Sequence, residues 1–300
     1  MTATDKIIKR WKKDFPSLER KTALITGGNR GLGKATAVGL AALGARVVIV
    51  SRDAGHGETA RGEIAQLTGN ERVSMLACDF NSLDNVRQLA QQYKALDWPL
   101  HILINNAGIM AFERQLTADG HESNFGINYL AHFLLTQELT GILTASAPAR
   151  IINVSSSLHH KGRLNLDDLS IEDGYSGLDA YGRSKLAQIL QANELARRLA
   201  SAGVTANSVH PGVVATDLMR SLKGVRGLIM KTFIRRFLRT NEQGADTVVY
   251  LAASDKVAGD SGSFWANRRK MRVSNAAADA ELAARLWEIS LNLTDLPSTA

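Results

Sequence analysis

The chain has 300 residues, a net charge of +7, five prolines and one cysteine, Cys78. A lone cysteine excludes an intramolecular disulfide, and no proline-rich linker divides the chain, so we predict one domain with a large core. The chain shows no nucleic-acid recognition module, and positive charge alone is weak evidence for nucleic-acid binding. We therefore do not expect nucleic acid as a partner. Neither a signal peptide nor a run of about twenty apolar residues is visible, so we expect a cytoplasmic protein.

Residues 1–18 are predicted to form a basic amphipathic arm. Apolar residues recur at i, i+4 and i+8 (Ile7, Trp11 and Phe15), and the cations are Lys6, Lys9, Arg10, Lys12 and Lys13. Such helices can lie on anionic membranes, which would make the protein membrane-peripheral. The pattern favours a helix packed on the protein with a solvated basic face, and peripheral membrane contact stays open.

Residues 19–300 are predicted to form one Rossmann-type domain. Apolar runs rich in Val and Ile alternate with helical stretches, which is typical of an α/β fold with a doubly wound parallel sheet and helices on both faces. The predicted strands are Thr22–Thr26, Arg46–Val50, Arg72–Ala77, Leu100–Ile104, Arg150–Val154, Val204–Val209 and Gly262–Trp265. Residues 158–178 lack periodicity and indicate an insertion, and residues 214–241 are predicted to cover the substrate.

The first predicted strand is followed by a glycine-rich turn, Thr26-Gly-Gly-Asn-Arg-Gly-Leu-Gly33, and then by a helix. Glycines allow a tight turn and close approach of a phosphate to backbone N–H groups, and a helix N-terminus favours negative charge. We therefore predict that a nucleotide cofactor binds at Gly27, Asn29, Arg30, Gly31, Leu32 and Gly33.

The second strand ends in Ser51-Arg52-Asp53. An acidic residue at this tip favours NAD(H), whereas an arginine accommodates the 2′-phosphate of NADP(H). Arg30 and Arg52 could grip that phosphate together. We therefore predict NADP(H) rather than NAD(H), and we interpret Asp53, the counter-argument, as the N-cap of the next helix.

Polar clusters follow several later strands. Like the glycine-rich turn, two further clusters stand at a strand's carboxyl end: Asn105-Asn106-Ala107-Gly108 and Ser155-Ser156-Ser157. Because ligands on open α/β sheets gather at that edge, these clusters are predicted to converge on one crevice.

Tyr181 and Lys185 stand four residues apart in a predicted helix and therefore share a face. A lysine cation favours the phenolate of a neighbouring tyrosine and lowers its pKa. A tyrosine tuned in this way can exchange a proton with an alcohol or a carbonyl.

From about residue 20 to about residue 270 the chain resembles the short-chain dehydrogenases/reductases. The resemblance rests on four motifs that occur in the family's order: Thr-Gly-x-x-x-Gly-x-Gly, Asn-Asn-Ala-Gly, Ser and Tyr-x-x-x-Lys. The resemblance implies that Tyr181 donates the proton in reduction and that Lys185 also bonds the nicotinamide ribose. Ser156 would hydrogen-bond the substrate oxygen. Asn128 would hold a water of the proton relay, although a purely local helix role stays open.

The same resemblance implies further cofactor contacts. Asp79 matches an adenine-binding aspartate, with a turn residue as the alternative, and Phe80 follows it. Asn106, Ala107 and Gly108 would line the adenine-ribose side through backbone atoms. The predicted contacts near the nicotinamide are Pro211, Gly212, Val214 and Thr216.

Ser156 and Tyr181 are 25 positions apart, farther than is usual in the family. With Val-Ser-Ser-x-x-His-His and His-Pro-Gly-Val-Val-x-Thr, this spacing resembles the retinol dehydrogenase and WW-domain oxidoreductase branch. That branch implies a lipophilic alcohol, aldehyde or ketone. Apolar residues of the predicted cover suit such a substrate, and equally suit packing or a dimer contact: Leu222, Val225, Leu228, Ile229, Met230, Phe233, Ile234, Phe237 and Leu238.

Alternatives remain at this stage. One is a catalytically silent NADP(H)-binding sensor or scaffold, and another is a C=C reductase of the protochlorophyllide-reductase type, for which Cys78 is badly placed. His159 and His160 could border the substrate mouth, and no metal site is expected. By analogy with the family, the protein would form a homodimer or a homotetramer.

Overall fold

The computed structural model describes residues 3–212 and 239–297. Within this part, eight strands form one sheet in the order β3-β2-β1-β4-β5-β6-β7-β8. Strands β1 to β7 are parallel, and β8 runs antiparallel to β7. Their bounds are β1 (Thr22–Thr26), β2 (Arg46–Ser51), β3 (Val73–Ala77), β4 (Ile102–Asn105), β5 (Ala149–Val154), β6 (Val204–Val209), β7 (Phe264–Ala266) and β8 (Arg269–Lys270).

Helices cover both faces of this sheet, so the predicted doubly wound α/β fold is confirmed. The α-helices are α1 (Ala3–Asp14), α2 (Gly31–Ala42), α3 (Ala54–Thr68), α4 (Leu83–Ala95), α5 (Ser123–Phe125), α6 (Ala131–Ala145), α7 (Gly177–Arg198), α8 (Asn241–Ala253) and α9 (Ala280–Leu293). Helices α4, α6, α7 and α9 enclose one apolar cluster, and α1, α2, α3 and α8 enclose the other.

The sequence pattern did not reveal β8. It is a two-residue strand whose side chains are exposed, so it carries no apolar signal. It exists because Asn267 and Arg268 adopt positive φ angles of 55° and 58°, which turn the chain back on β7. Two successive positive φ angles are typical of the tight turns that join antiparallel strands.

The basic arm is a helix, α1, whose apolar side is buried against α2 and α8. The indole of Trp11 is fully buried, and its Nε1 donates a hydrogen bond to Asp246 Oδ1 at 2.9 Å. Gly39 on α2 leaves room for that ring, because a Cβ there would lie 3.1 Å from it. Ile8 rather than Ile7 is the buried isoleucine. The arm therefore presents its lysines, not its apolar side, to solvent.

The predicted insertion is irregular, as its lack of periodicity indicated. A 3-10 helix spans Ser157–Lys161, and residues 162–176 form turns and bends before α7 begins. Of the predicted cover, residues 214–238 lie outside the described part. No helix among the described residues has the length and apolar character needed to cross a bilayer.

Candidate active site

The carboxyl ends of β1 to β6 meet at one edge of the sheet, where the strand order reverses between β1 and β4. The glycine turn, Asn106–Gly108, Ser155–Ser156 and His210–Gly212 all follow strands at this edge. A reversal of strand order opens a crevice that can hold a ligand. The predicted convergence of the polar clusters on one crevice is therefore consistent with the topology.

The glycine turn has the geometry of a phosphate cradle. Gly27 and Gly31 adopt φ angles of 64° and 55°, and a Cβ on Gly33 would overlap the carbonyl oxygen of Gly27. Asn106 Nδ2 donates to the Thr26 carbonyl at 2.7 Å and so ties the turn to the loop after β4. Since α2 begins at Gly31, its first N–H groups face the same crevice. These residues fit the pyrophosphate of a dinucleotide.

Arg52 is exposed directly after β2, and Arg30 is exposed in the glycine turn. Asp53 caps α3, where its side chain accepts a hydrogen bond from His56 N at 2.7 Å. The interpretation of Asp53 as an N-cap is confirmed, and Arg52 is the charged side chain at the tip of β2.

Asp79 and Phe80 follow β3, but their side chains have structural roles. Asp79 Oδ1 accepts from Asn81 N at 3.1 Å, which agrees with the turn-residue alternative, while its predicted adenine contact stays a prediction. The ring of Phe80 is buried and stacks on His132 with centroids 4.9 Å apart. Any nucleotide contact by Phe80 would therefore involve its backbone.

Cys78 lies at the same strand end and is buried. Burial, with a smaller effect from the Asp79 carboxylate, raises the pKa of its thiol to about 12. A thiol held in its neutral form is a poor nucleophile.

Ser156, Tyr181 and Lys185 form a buried polar group at the mouth of β5. Tyr181 and Lys185 lie one turn apart on α7, and the Tyr181 hydroxyl shares a hydrogen bond with the Ser156 side chain. Ser155 Oγ donates to the Lys185 carbonyl at 2.7 Å and so fixes α7 against β5. The exposed fractions of Tyr181 and Lys185 are 8% and 4%. The structure thus brings together three residues that the sequence separates by up to 29 positions.

Burial governs the charges in this group. It raises the pKa of Tyr181, against the lowering effect of the Ser156 hydrogen bond. It also lowers the pKa of Lys185 to about 7. Lys185 Nζ lies 5.3 Å from the centroid of the Tyr181 ring and donates to Val154 O at 3.0 Å. The Tyr181 pKa is therefore raised rather than lowered, because burial outweighs the Ser156 bond, and a lowering contribution from Lys185 stays a prediction.

Asn128 lies in a π-helical turn, Gly126–Leu130, between α5 and α6. Its side chain is fully buried and bonded: Nδ2 donates to Ile109 O and Ser184 Oγ, and Oδ1 accepts from Ile109 N at 2.7 Å. The Asn128 amide thus joins the loop after β4 to α7, which differs from the purely local helix role left open above. Its proposed relay water stays a prediction.

Sequence reasoning missed a buried pair, Thr26 and His132, that connects the loop after β4 with the π-helical turn. Thr26 Oγ1 accepts hydrogen bonds from the backbone N–H groups of Asn106 and Ala107, both at 2.8 Å, and lies 2.9 Å from His132 Nε2. His132 Nδ1 lies 3.0 Å from Asn128 O. The available signal was the four-residue spacing from Asn128 to His132, which places both on one helical side.

Glycines also let the insertion pack onto α7. A Cβ on Gly162 would overlap the carbonyl of Gly182, which separates Tyr181 from Arg183. Arg183 then donates to Asp168 O at 2.7 Å and anchors the insertion. The residues between Ser156 and Tyr181 therefore form a strap that is held against α7.

His159 and His160 lie in the 3-10 helix at the start of this strap, with ring centroids 4.0 Å apart, but they differ in burial. His159 is fully buried, with Nδ1 2.7 Å from Ser156 O, so it supports the serine rather than bordering a mouth. His160 is exposed and lines a cavity of about 570 Å³ with Lys161, Arg163 and Arg183.

The last predicted cofactor residues are described only in part. Pro211 and Gly212 follow β6, and Gly212 has a φ of 86° with the Arg239 side chain packed against it. Val214, Thr216 and the apolar residues of the predicted cover (Leu222, Val225, Leu228, Ile229, Met230, Phe233, Ile234, Phe237 and Leu238) lie outside the described residues.

Comparison with known proteins identifies similar sequences along almost the whole chain. A family model described as short chain dehydrogenase matches residues 21–225. Retinol dehydrogenase 11 of Mus musculus is 42% identical over 280 residues, which cover 93% of this chain and 88% of the relative. Polyprenol dehydrogenase of Homo sapiens is 37% identical over 286 residues, covering 93% of this chain and 87% of the relative.

Solved structures resemble the fold as well. An uncharacterized protein from Mycobacterium paratuberculosis is 36% identical with a TM-score of 0.78, covering 96% of this chain and 98% of that one. The Pseudomonas aeruginosa RhlG/NADP active-site complex is 28% identical with a TM-score of 0.69, covering 84% of this chain and 96% of that one.

Proposed function

This chain belongs to the short-chain dehydrogenase family, and on that premise we propose that it interconverts a lipophilic alcohol and its aldehyde or ketone with NADP(H) as cofactor. It is an oxidoreductase related to retinol dehydrogenases. The observation that carries the proposal is the buried group of Ser156, Tyr181 and Lys185 beside the glycine turn.

The chemistry follows from the positions of these side chains. When bound, the nicotinamide ring would supply the hydride in reduction or accept it in oxidation. The Tyr181 hydroxyl donates a proton to the carbonyl oxygen in reduction and takes it back in oxidation. Ser156 Oγ hydrogen-bonds the same oxygen as charge develops on it. The Lys185 ammonium stabilises the phenolate that remains after proton transfer.

The cofactor is held, in this proposal, by the glycine turn and by cations at the tip of β2. Gly27, Gly31 and Gly33 leave space for the pyrophosphate, and Arg30 and Arg52 face the 2′-phosphate. The similar Pseudomonas aeruginosa structure is a complex with NADP, which supports this choice.

The substrate class rests on the names of the relatives. They are called retinol dehydrogenases and polyprenol dehydrogenase, and both retinol and polyprenol are long apolar alcohols. We infer a retinoid, a long-chain isoprenoid or aliphatic alcohol, or a steroid-like alcohol, or the corresponding carbonyl compound.

An NADPH oxidation assay tests the reaction with retinaldehyde, long-chain aldehydes and steroid ketones. Tyr181→Phe should lower turnover by about a hundredfold or more, because general acid catalysis contributes on that scale. Tyr250→Phe is the matched control, since Tyr250 lies on α8 and packs against Phe15 and Trp265. NADPH binding without any turnover would favour the sensor or scaffold alternative. A product that keeps its carbonyl and loses a double bond would favour the C=C reductase.

The cofactor preference is tested by Arg52→Ala. We expect the KM for NADPH to rise about tenfold to a hundredfold, because a charge-assisted contact is lost, while the KM for NADH changes little. Arg61→Ala, an exposed position on α3, is the control. If the wild-type enzyme prefers NADH, the assignment of Arg30 and Arg52 to a 2′-phosphate is wrong.

A further inference from the structure

Gln188 lies on α7 one turn after Lys185, and the mechanism above does not use it. Its side chain is fully buried. Gln188 Oε1 accepts a hydrogen bond from Lys185 Nζ at 2.9 Å, and Gln188 Nε2 donates to Asn128 O at 2.7 Å. One amide therefore bridges the lysine of the active site and the backbone of the π-helical turn.

The orientation of this amide is fixed by its partners. A carbonyl oxygen only accepts hydrogen bonds, so the amide nitrogen must face Asn128 O and the amide oxygen must face Lys185. His132 Nδ1 approaches the same carbonyl at 3.0 Å, so both lone-pair directions of Asn128 O have partners. Turned over, the amide would set its N–H groups against an ammonium.

The ammonium of Lys185 has three N–H donors. One is bonded to Val154 O and a second to Gln188 Oε1. The two acceptors lie on different elements, β5 and α7, so together they fix Nζ in position beneath Tyr181. Among the described residues, the titratable side chains that face this ammonium are Tyr181 on α7 and His132 on α6.

We propose that Gln188 is a positioning residue that holds the Lys185 ammonium in place and favours its charged form. Its catalytic consequence rests on the proposed function, because the charge on Lys185 matters to Tyr181 only if Tyr181 exchanges a proton. The hydrogen bond between Gln188 and Lys185 itself can be tested without turnover.

Substitutions at Gln188 have opposite expected effects on Lys185. Gln188→Met keeps the length of the side chain but removes the acceptor, so the pKa of Lys185 should fall by about one unit below its wild-type value. Gln188→Glu offers a carboxylate at the same place, so the pKa of Lys185 should rise. A role confined to packing predicts no such reversal of sign.

Gln191 supplies the matched control. It is a buried glutamine one turn farther along α7, and its Oε1 accepts from Asn153 Nδ2 at 3.0 Å. Gln191→Met therefore removes a buried amide of the same size without removing a bond to Lys185. Its effect on Lys185 should be small.

The first experiment is an NMR titration of the full-length, cofactor-free protein with ¹³C-labelled lysine. Lys185→Arg identifies the ε-carbon signal of Lys185. We expect its titration midpoint to move down in Gln188→Met, up in Gln188→Glu and hardly at all in Gln191→Met. Unmoved midpoints, or shifts of one sign in both Gln188 variants, would overturn the proposal. If Gln188→Met does not fold, the upward shift in Gln188→Glu decides.

The second experiment measures kcat for NADPH-dependent reduction as a function of pH. The basic limb should move to lower pH in Gln188→Met and to higher pH in Gln188→Glu, with kcat changing more than the KM for NADPH. If no substrate is turned over, the proposed function fails, while the titration still tests the hydrogen bond between Gln188 and Lys185. If the enzyme is active and the basic limb of its kcat profile stays at the same pH in both variants, Gln188 does not act on catalysis.

Discussion

At the scale of single residues, the site depends on buried polar side chains that are bonded to each other and to backbone groups. His132 is an example, because its two ring nitrogens approach Thr26 Oγ1 and Asn128 O. Burial is the main cause that lowers the pKa of His132 to about 3, and the Lys185 cation adds to it. A neutral ring donates from one nitrogen and accepts at the other. Nδ1–H must then face Asn128 O, which leaves Nε2 to accept from the Thr26 hydroxyl.

This neutral histidine should make the fold sensitive to acid. Its pKa is lower in the folded state, at about 3, than the ordinary value of 6.5. Between these values the unfolded chain binds the additional proton, so stability falls as pH falls through that window. In urea unfolding, the difference in free energy between wild type and His132→Gln should shrink by about 1.4 kcal/mol per pH unit from pH 6.5 towards pH 4.

Thr140→Val is the control for this measurement, because Thr140 lies two turns after His132 on α6 and carries no titratable group. It should leave the pH dependence of the unfolding free energy as it is in the wild type. Parallel curves for His132→Gln and the wild type would contradict the assignment of a neutral His132.

At the scale of elements, the glycine turn between β1 and α2 brings backbone atoms closer together than any side chain would allow. A Cβ on Gly33 would overlap Gly27 O and come 2.5 Å from Asn106 Nδ2. Gly33→Ala should therefore open the turn and weaken NADPH binding by about tenfold or more, measured by calorimetry. Gly62→Ala is the control, because a Cβ on this glycine of α3 meets nothing within 4 Å.

Gly62→Ala should instead raise the free energy of unfolding by about 0.5–1 kcal/mol, since alanine loses less conformational freedom in a helix. Its affinity for NADPH should equal that of the wild type. Equal losses of affinity in both variants would mean that the glycine turn has no special role in binding.

Elements with a strong local signal could be predicted from the sequence. Buried strands are continuous apolar runs between turn residues. Thr22–Thr26 and Val204–Val209 have the predicted bounds, and the other predicted strands differ by one or two residues at one or both ends. The strand β8 and the course of residues 162–176 could not be predicted, because they depend on tertiary contacts such as that of Arg183 with Asp168 O. Hydrophobic periodicity does not encode such contacts.

The candidate site divides in the same way. Motif residues such as Ser156 and Tyr181 could be placed from spacing and strand ends. Two buried residues behind them were missed: Gln188 is a helix amide with no pattern of its own, and the spacing from Asn128 was the signal for His132. Likewise, the direction of the Tyr181 pKa depends on burial, which the Tyr-x-x-x-Lys pattern does not report.

At the scale of the whole molecule, the net charge of +7 is concentrated in part on α1. The helix is fastened by Trp11, Arg10 and Asp14, which bond Asp246 and Arg268. Deleting the arm would remove the buried Trp11 and cost several kcal/mol, on the order of 3–5. A truncated protein would therefore confuse loss of membrane contact with loss of stability.

Charge reversal on the exposed side of α1 is the cleaner test of peripheral membrane contact. Lys6, Lys9 and Lys13 are exposed, and basic residues near an anionic lipid surface contribute about 1 kcal/mol each. If α1 contacts membrane, the wild type should bind vesicles that contain phosphatidylserine, more weakly as salt rises. The triple variant Lys6→Glu, Lys9→Glu, Lys13→Glu should then bind at least about tenfold more weakly in vesicle sedimentation.

The control for α1 changes the net charge by the same amount elsewhere on the surface. Lys256→Glu, Arg269→Glu and Arg272→Glu replace three exposed cations that lie outside the arm. An electrostatic contact made by α1 is local, because charges farther from the lipid surface than about 10 Å are screened. The control triple should then keep most of the binding. Equal losses in both triples would instead assign the attraction to net charge alone, and equal binding of neutral and anionic vesicles would exclude an electrostatic role for the arm.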